Sequence, residues 1–292
     1  MKLLITGANG QLGRAVNRVF AGHEDTLVNT EAPRIAEDAG MQALDITDID
    51  AVLSFAREAK PDVIVNCAAY TAVDKQETDA DLSYRINAIG PRNLAIAAEE
   101  TGGRLIHIST DYVFDGTKKE AYTEFDAVSP ASVYGRTKLA GEEFVRTHGR
   151  RFFILRTAWL YGDGNNFAKT MLRLSETHDT VSVVEDQFGT PTSAMELARA
   201  VADVSTTDNY GLFHATCEGE CSWADFAEEI FRRAGKNTTV QRVTTKEYLA
   251  SNPASAPRPA HSVLDNYMLR LTGGYRFADW RDAFAEYMGG NK

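Results

Sequence analysis

Cysteine is scarce in this sequence, with three residues among 292. Cys67, Cys217 and Cys221 are too few to build a disulfide framework, and Cys67 lies in an apolar strand pattern typical of a core thiol. Cys217 and Cys221 are four residues apart, but no second pair of cysteines or histidines with zinc spacing accompanies them. We therefore expect free thiols in a reducing cytoplasm, and no metal site.

Excess positive charge and long apolar runs are also lacking. The chain has 31 Lys and Arg residues against 41 Asp and Glu residues, a net charge of -10, so no basic tract is available for nucleic acid. No apolar run is long enough to span a bilayer. Met1 leads directly into an apolar strand pattern, which leaves no room for a signal peptide. We expect no nucleic-acid partner and no membrane segment.

Short apolar runs alternate with helical patterns through the first half of the chain. This alternation is typical of right-handed crossovers, and it predicts a doubly wound parallel α/β sheet of the Rossmann type over residues 1–157. Helices are expected from Thr47 as a cap, over residues 79–101, and from Ser129-Pro130 onward. Residues 158–292 are predicted to form mainly a smaller C-terminal α/β substrate lobe, with strands near 181–184 and 211–215 rejoining the sheet.

A glycine-rich turn follows the first predicted strand. Gly7 permits a tight turn, Gly10 allows a close approach of the backbone to a pyrophosphate, and Gly13 allows the next helix to pack closely. The helix N-terminus offers free N–H groups to phosphates. The pattern predicts a dinucleotide cradle, formed by Gly7, Asn9, Gly10, Gln11, Leu12 and Gly13.

The rest of the cofactor site is expected at the ends of the following strands. Asp45 and Ile46 are placed for the adenine ring, the alternative being that Asp45 only caps a turn. Glu31 suits a ribose 2′-hydroxyl, whereas Arg34 or Arg14 suits a 2′-phosphate, so NADH and NADPH both stay open with a slight preference for NADPH. Small residues after a central strand let the backbone approach the cofactor, in the run Ala68, Ala69 and Tyr70.

Tyr134 and Lys138 are four residues apart on a predicted helix and share one face of it. A nearby ammonium group and a bound nicotinamidium both favour a phenolate, so we expect Lys138 and the oxidised cofactor to lower the pKa of Tyr134, and Lys138 also to bind the nicotinamide ribose. Thr110 ends the preceding strand and can donate to a substrate carbonyl oxygen. These three residues predict hydride transfer with Tyr134 as the proton donor.

Several longer motifs give the chain a closer resemblance. They are Pro61-Asp62-Val63-Ile64-Val65-Asn66, Tyr70-Thr71-Ala72-Val73-Asp74-Lys75, Ser109-Thr110-Asp111-Tyr112-Val113-Phe114-Asp115-Gly116, Val133-Tyr134-Gly135-Arg136-Thr137-Lys138-Leu139-Ala140-Gly141-Glu142, Gly164-Asn165-Asn166-Phe167 and Asp186-Gln187-Phe188-Gly189-Thr190-Pro191-Thr192. With them, nearly the whole chain resembles the extended short-chain dehydrogenases/reductases, and among these the dTDP-4-dehydrorhamnose reductase family. The resemblance implies reduction of the 4-keto group of dTDP-4-dehydro-L-rhamnose, with Thr110 and Asp111 near the sugar and Trp159 against the substrate.

The chain differs from related proteins at two places. Dehydratases of this superfamily have an Asp-Glu pair after the threonine, whereas here Asp111 is followed by Tyr112, which favours reduction without loss of water. Some family members form a magnesium-linked dimer through glutamates. Here one such position is Ala15 and another is Glu196, so a monomer or a metal-free homodimer is expected.

The second half offers further candidate contacts to a dTDP-sugar. Asn166 and Phe167 follow a glycine turn, where an amide and a ring can meet sugar and base. Arg258 is either a ligand of the pyrophosphate or a structural residue, and Asp74 with Lys75 either lines the pocket or forms a surface ion pair.

Two other functions stay open. One is reduction of another nucleotide-linked 4-keto-6-deoxy sugar. The other is a non-catalytic NADP-binding role similar to that of the regulatory subunit of methionine adenosyltransferase. Trp223 and Trp280 fall on helical patterns and are expected to be packing residues.

Overall fold

The fold is taken from a computed structural model that describes residues 1–22 and 24–289. Its strands are β1 (Lys2–Thr6), β2 (Thr26–Glu31), β3 (Gln42–Ala43), β4 (Val63–Asn66), β5 (Arg104–Thr110), β6 (Phe152–Thr157), β7 (Leu160–Tyr161), β8 (Thr180–Val184), β9 (Phe188–Gly189), β10 (Thr192–Ser193), β11 (Gly211–His214), β12 (Cys221–Ser222) and β13 (Thr239–Val243). Seven of them form one sheet in the order β11-β6-β5-β4-β1-β2-β3, and every neighbouring pair is parallel. The predicted doubly wound parallel sheet is confirmed.

The helices are α1 (Gln11–Phe20), α2 (Pro33–Ala39), α3 (Ile49–Ala59), α4 (Val73–Gln76), α5 (Ala80–Tyr84), α6 (Gly90–Thr101), α7 (Val133–His148), α8 (Phe167–Leu174), α9 (Ala194–Ser205), α10 (Trp223–Ala234), α11 (Thr245–Ser251), α12 (Tyr267–Thr272) and α13 (Trp280–Gly289). A π-helical turn, Arg85–Ile89, connects α5 to α6, and a 3-10 turn, Asp111–Val113, follows β5. Among the described residues, none of the helices combines the length and hydrophobicity that crossing a membrane requires.

Two buried layers cover the two faces of the main sheet. Leu3 and Ile5 of β1 belong to the layer that includes α1 and α9, whereas Leu4 belongs to the layer that includes α3, α6 and α7. Successive side chains of a strand point to opposite faces, so a strand that is buried on both faces needs a continuous apolar run. The first strand has this run, and it positions the glycine turn at its carboxyl end.

The strand predicted near 181–184 does not rejoin the main sheet, and that part of the prediction is wrong. β8 instead pairs in parallel with β13, in a separate two-stranded sheet. Thr180 and Ser182 are exposed, so this strand has the alternating pattern of a sheet with one wet face. The strand predicted near 211–215 does join the sheet, where β11 pairs with β6. The boundary at residue 157 between two lobes stays a prediction.

Three predicted helix boundaries also differ from the structure. Helix α3 is capped by Asp48, which accepts from the N–H groups of Asp50 and Ala51, whereas Thr47 lies one residue earlier and donates its hydroxyl to Asp45. Helix α7 begins at Val133, where Ser132 accepts from Gly135 N at 3.1 Å, and not at Ser129. The helix predicted over 79–101 is interrupted by the π-helical turn at Arg85–Ile89.

Candidate active site

The glycine turn between β1 and α1 leaves no room for side chains. Gly7 has a φ of 64°, a left-handed conformation that favours glycine, and a Cβ there would lie 2.7 Å from the Ala68 Cα. A Cβ at Gly13 would lie 2.4 Å from the Gly7 carbonyl oxygen, and Gly10 N donates to that same oxygen at 3.0 Å. The tight turn predicted from the sequence is confirmed.

The start of α1 is open to an anionic ligand. Gly10 is the N-terminal cap and has no side chain to occupy the first N–H groups of the helix, Gln11 is half-buried, and Leu12 is buried beneath the turn. The first amides of a helix lack partners within the helix and carry a partial positive charge. A Cβ at Gly10 would fill this cradle, and the nearest atom that it would meet is the Gly7 carbonyl oxygen at 3.2 Å. The residues present therefore fit a dinucleotide pyrophosphate.

Arg14 and Glu31 flank the turn at the side where β2 ends. Arg14 donates to the Asn9 side-chain oxygen through Nε at 3.2 Å and Nη2 at 2.8 Å, which holds the guanidinium beside the turn. Glu31 accepts from Asn9 N at 3.2 Å and from Ala32 N at 3.0 Å. A cation and a carboxylate thus lie together where an adenosine ribose is expected.

Asp45 and Ile46 follow β3 at the same edge of the sheet. Asp45 Oδ1 accepts from Thr47 N at 2.9 Å and from its hydroxyl at 2.8 Å, so Asp45 does cap a turn. Ile46 is 6% exposed and lies against Gly90, whose Cβ would meet it at 2.5 Å. Their contact with an adenine ring stays a prediction.

In the run Ala68, Ala69 and Tyr70, the backbone of Tyr70 is held by a residue that was not predicted from the sequence. Asn87 of the π-helical turn accepts from Tyr70 N at 2.9 Å and donates to its carbonyl oxygen at 3.0 Å. The carbonyl oxygen of Asn87 would also lie 2.3 Å from a Cβ at Gly141 of α7. π-Helical turns often occur at functional sites, but nothing in the local sequence identified this one.

The three residues predicted to be catalytic lie together at the carboxyl ends of β5 and β6. Thr110 pairs with Thr157 in the sheet register, and its hydroxyl donates to Asp111 Oδ1 at 2.9 Å. The Tyr134 hydroxyl forms a hydrogen bond with that of Thr110. Lys138 lies one turn further along α7, 2% exposed, with Nζ donating to the Ile108 carbonyl oxygen at 2.5 Å.

Burial dominates the acid–base properties of this cluster. Burial raises the pKa of Tyr134 to about 12, against the hydrogen bond with Thr110, which lowers it. Burial lowers the pKa of Lys138 to about 8, against the carboxylate of Glu142, which raises it. The prediction that Lys138 lowers the pKa of Tyr134 is therefore wrong for this arrangement, because loss of solvation and the nearby charge of Asp111 both raise it, whereas the effect of a bound nicotinamidium stays a prediction. A phenol with this pKa is protonated at neutral pH.

Asp111 is a buried carboxyl group next to the cluster. Its side chain is 2% exposed, and burial raises its pKa to about 6, while hydrogen bonds from the Ser262 and Thr110 hydroxyls lower it. Tyr112 follows Asp111, and its ring meets that of Tyr134 edge to face, with centroids 5.4 Å apart.

Trp159 follows β6 and has a strained backbone. Its φ is 47°, which is uncommon for a residue other than glycine and costs energy. The indole stacks on that of Trp223, with centroids 3.5 Å apart and planes at 7°. A Cβ at Gly189 would lie 2.4 Å from the Trp159 indole, so glycine is needed on that side. Trp223 is therefore a packing residue, as expected, and the ring that it packs against is that of Trp159.

Asn166 and Phe167 lie beside the glycine turn and the indole pair respectively. Asn166 caps α8 by accepting from Lys169 N at 2.9 Å, and its amide donates to Gly162 O at 2.7 Å and to Gln11 Oε1 at 3.3 Å. The ring of Phe167 is 4.5 Å from that of Trp223. The amide of Asn166 is thus engaged next to the cradle, and both predicted substrate contacts stay predictions.

Arg258 forms an ion pair across the chain. Its Nη2 donates to both carboxylate oxygens of Asp74, at 3.0 and 3.2 Å, and its Nη1 donates to Ala256 O at 3.0 Å. The partner of Asp74 is therefore Arg258, and the suggested surface pair of Asp74 with Lys75 is wrong. The Arg258 side chain keeps 27% of its surface exposed, at a segment that contains Pro253 and Pro257.

The comparisons with known proteins agree with this arrangement. The family model described as the RmlD substrate binding domain matches residues 1–290. The chain belongs to this family. A curated relative, a probable dTDP-4,6-dihydroxy-2-methyloxan-3-one 4-ketoreductase of Streptomyces antibioticus, is 40% identical over 290 residues, which cover 98% of this chain and 94% of the relative.

Two solved structures are similar over the whole length. A dTDP-4-dehydrorhamnose reductase of Clostridium acetobutylicum is 52% identical with a TM-score of 0.93, covering 100% of this chain and 99% of that one. A dTDP-4-dehydrorhamnose reductase of Bacillus anthracis, solved in complex with NADP, is 40% identical with a TM-score of 0.92, covering 99% of each chain. The family and the fold that the sequence predicted are both confirmed.

Proposed function

We propose that this protein reduces the 4-keto group of dTDP-4-dehydro-L-rhamnose to give dTDP-L-rhamnose, using NADPH or NADH. One observation carries the proposal: Thr110, Tyr134 and Lys138 converge at the carboxyl edge of a sheet whose first turn fits a dinucleotide. The names of the two similar solved structures support the choice of sugar nucleotide.

The nicotinamide supplies a hydride to C4 of the sugar when it is bound, and the protein supplies the proton. Tyr134 donates its phenolic proton to the oxygen on C4, so the C–H and O–H bonds form as the C=O π bond breaks. A pKa of about 12 keeps Tyr134 protonated before the step, as a donor must be. Thr110 donates a hydrogen bond to the same oxygen and stabilises the negative charge that develops on it.

Lys138 supports the phenol after the proton has left. The ammonium would stabilise a phenolate and would donate to the hydroxyls of the nicotinamide ribose when the cofactor is bound. A pKa of about 8 keeps most of Lys138 charged at pH 7. We expect the rate to fall as pH rises through this value, because the charged form is lost.

The cofactor is held mainly by the turn of Gly7, Gly10 and Gly13. A slight preference for NADPH rests on Arg14, whose guanidinium is fixed beside Asn9 where it can pair with a 2′-phosphate. Glu31 opposes this preference, because a carboxylate repels the phosphate and favours a free 2′-hydroxyl. Use of both cofactors is consistent with this pairing.

The substrate is held by residues that follow β5 and β6. Asp111 accepts from hydroxyls of the sugar, and the Trp159 indole packs against the sugar ring. Arg258 pairs with the diphosphate of the substrate. A phosphate group then takes the place of the Asp74 carboxylate as the partner of the guanidinium. Asp111 is followed by Tyr112 and not by a second carboxylate, which supports reduction without elimination of water.

We also propose a cytoplasmic monomer or metal-free homodimer. All three cysteines are free, as in a reducing compartment. Glu196, the one candidate glutamate for a metal-linked dimer, is occupied by Arg199, by Tyr275 OH at 3.1 Å and by Ala278 N at 2.9 Å. A carboxylate with these partners is a poor start for a metal site.

The proposal is tested by the loss of NADPH absorbance with dTDP-4-dehydro-L-rhamnose generated by its upstream enzymes, repeated with NADH. We expect oxidation that depends on the sugar, and a fall of about 100-fold or more in kcat for Tyr134→Phe with unchanged NADPH binding. Survival of activity in this variant would refute the mechanism.

Two other outcomes identify the alternative functions. Oxidation with a different dTDP-linked 4-keto sugar favours a reductase like the Streptomyces antibioticus relative. Tight NADPH binding without turnover of any such sugar favours the non-catalytic binding role.

A further inference from the structure

An ion pair is buried one helical turn beyond Lys138. Arg156 of β6 donates to Glu142 of α7 through Nε at 2.8 Å and Nη2 at 2.7 Å, and the two side chains are 2% and 0% exposed. Ser109 Oγ donates to the same carboxylate at 2.6 Å. The sequence did not identify this cluster, because its members are separated by up to 47 residues and each occurs alone.

The cluster joins the elements that carry the reacting groups. Glu142 lies on the same helix as Tyr134 and Lys138, whereas Ser109 immediately precedes Thr110 on β5. The carboxylate of Glu142 therefore connects the helix of the proton donor, Tyr134, with the strand of Thr110, whose hydroxyl is proposed to face the same sugar oxygen. Arg156 also stacks over the ring of Phe114, 5.2 Å from its centroid, in the segment that follows Asp111.

Stability is a weak reason for such a pair. Desolvation of two charges in the interior costs as much as their attraction returns, and apolar residues of similar volume are often as stable or more stable. A buried pair does, however, restrict the elements it joins to one geometry, because any shift leaves a charge unpaired. Small errors of position matter greatly for transfer of a proton and a hydride.

We propose that Glu142 and Arg156 are positioning residues that fix Tyr134 and Lys138 of α7 against Thr110 of β5. Because the two side chains are 2% and 0% exposed, the pair acts through the helix and the strand and is not a catalytic group itself. This inference rests on the proposed function, because it assumes that Tyr134 and Lys138 carry the reaction.

Glu142 also acts on Lys138 through its charge. Lys138 interacts with Glu142 on its own helix and with His107 on β5, and its Nζ donates to the Ile108 carbonyl oxygen of the same strand. Burial holds the pKa of His107 well below its usual value, so this ring is neutral and Glu142 is the nearby negative charge. Loss of Glu142 removes the charge that raises the pKa of Lys138.

The test compares Glu142→Gln, Glu142→Asp and the double variant Glu142→Gln/Arg156→Met with wild type. We expect kcat to fall by about 100-fold in each, with the NADPH dissociation constant within about threefold of wild type. In Glu142→Gln, the alkaline decline of kcat should move to lower pH by about one unit, whereas Glu142→Asp should keep it in place. The exposed pair of Glu100 and Arg57, whose side chains are 38% and 60% exposed, gives a matched control, and Glu100→Gln should leave each quantity unchanged.

The double variant keeps the test decisive if the single variant folds poorly. It removes both charges of the pair and leaves only Lys138 without its carboxylate, so we expect urea stability nearer to that of wild type than in Glu142→Gln, but low kcat, with faster hydrogen exchange in the amides of α7. Wild-type kcat and wild-type exchange in a folded double variant would overturn the inference.

Failure of the proposed function has a different signature. In that case wild type itself turns over no dTDP-linked keto sugar, whereas hydrogen exchange in α7 still reports whether the pair fixes the helix.

Discussion

Asp111 makes the protein less stable at neutral pH than it would be with a neutral side chain at this position. Its pKa is about 6 in the folded protein, against 3.8 for an unperturbed aspartate. A raised pKa means that the folded state holds the proton more tightly, so stability is lost as pH rises from 3.8 through 6 and the loss is complete above that range. At 1.36 kcal/mol per pH unit, the ionised carboxyl costs about 3 kcal/mol at pH 8.

The perturbation that exposes this cost is Asp111→Asn. The amide oxygen can still accept from the Thr110 hydroxyl, as Asp111 Oδ1 does at 2.9 Å, and the side chain stays neutral at every pH. We expect urea unfolding to give a gain of up to about 3 kcal/mol at pH 8, of which about half is present at pH 5. Turnover of the sugar nucleotide should fall, because a carboxylate acceptor for sugar hydroxyls is lost.

A neighbouring carboxyl group gives the control with the opposite sign. Asp115 accepts from Thr117 N at 3.0 Å and from Tyr122 OH at 2.9 Å, and these bonds lower its pKa. Its contribution is present at neutral pH and is lost as pH falls through the folded pKa, so Asp115→Asn should destabilise the protein at pH 8. An Asp111→Asn variant that is less stable than wild type at pH 8, or whose gain is equal at pH 5 and pH 8, would refute the reasoning.

Three other variants test the cradle, the cofactor preference and the indole pair. Gly13→Ala should weaken NADPH binding by about tenfold or more and destabilise the fold by about 1–3 kcal/mol, since its Cβ would lie 2.4 Å from the Gly7 carbonyl oxygen. Calorimetric titration measures the affinity and urea unfolding the stability, and an unchanged NADPH affinity would contradict the role of the turn. Arg14→Gln should raise KM for NADPH and leave KM for NADH unchanged, so an equal change for both would remove Arg14 from the 2′-phosphate site. Trp223→Leu should raise KM for the sugar nucleotide about tenfold without changing NADPH affinity, and should abolish the coupled near-ultraviolet dichroism of the stacked indoles; a lost signal with unchanged KM would separate the stack from substrate binding.

Local patterns predicted those parts of the molecule in which neighbours in sequence determine the geometry. The first strand, Lys2–Thr6, and the left-handed Gly7 depend on residues within one turn, and both were predicted correctly. The spacing of Tyr134 and Lys138 was sufficient to place them on one helix. Contacts between distant segments were missed, as in the pairing of β8 with β13, for which the apolar pattern of 181–184 was equally compatible with the main sheet.

The partners of charged side chains were the least predictable feature, because several nearby candidates exist for each. Asp74 has a lysine directly after it but pairs with Arg258, 184 residues away. Asn87 and the Glu142–Arg156 pair likewise act across the fold, and they were found only when strands and helices were assembled. The pKa shifts were equally hard to predict, because they depend on burial. The charge of Lys138 was visible in the sequence, but the extent of its burial was not.

Burial shifts the pKa of all three ionisable groups of the site so that their neutral forms are favoured, and this suits a site that donates a proton. Tyr134 is half-buried, Lys138 and Asp111 are buried, and in each case loss of solvation shifts the pKa so that the neutral form is favoured: up for the phenol and the carboxyl, down for the ammonium. A site that must donate a proton is served by a phenol with a pKa of about 12, since it is fully protonated when the substrate arrives. The energetic cost arises after proton transfer, because a phenolate that is shielded from water needs a nearby cation. Lys138 is the cation on the same helix face, and Glu142 behind it raises the fraction that is charged. Tyr134, Lys138 and Glu142 therefore follow one another along α7. The charge of Lys138 offsets the cost of a phenolate at Tyr134, and the charge of Glu142 offsets the cost of burying Lys138.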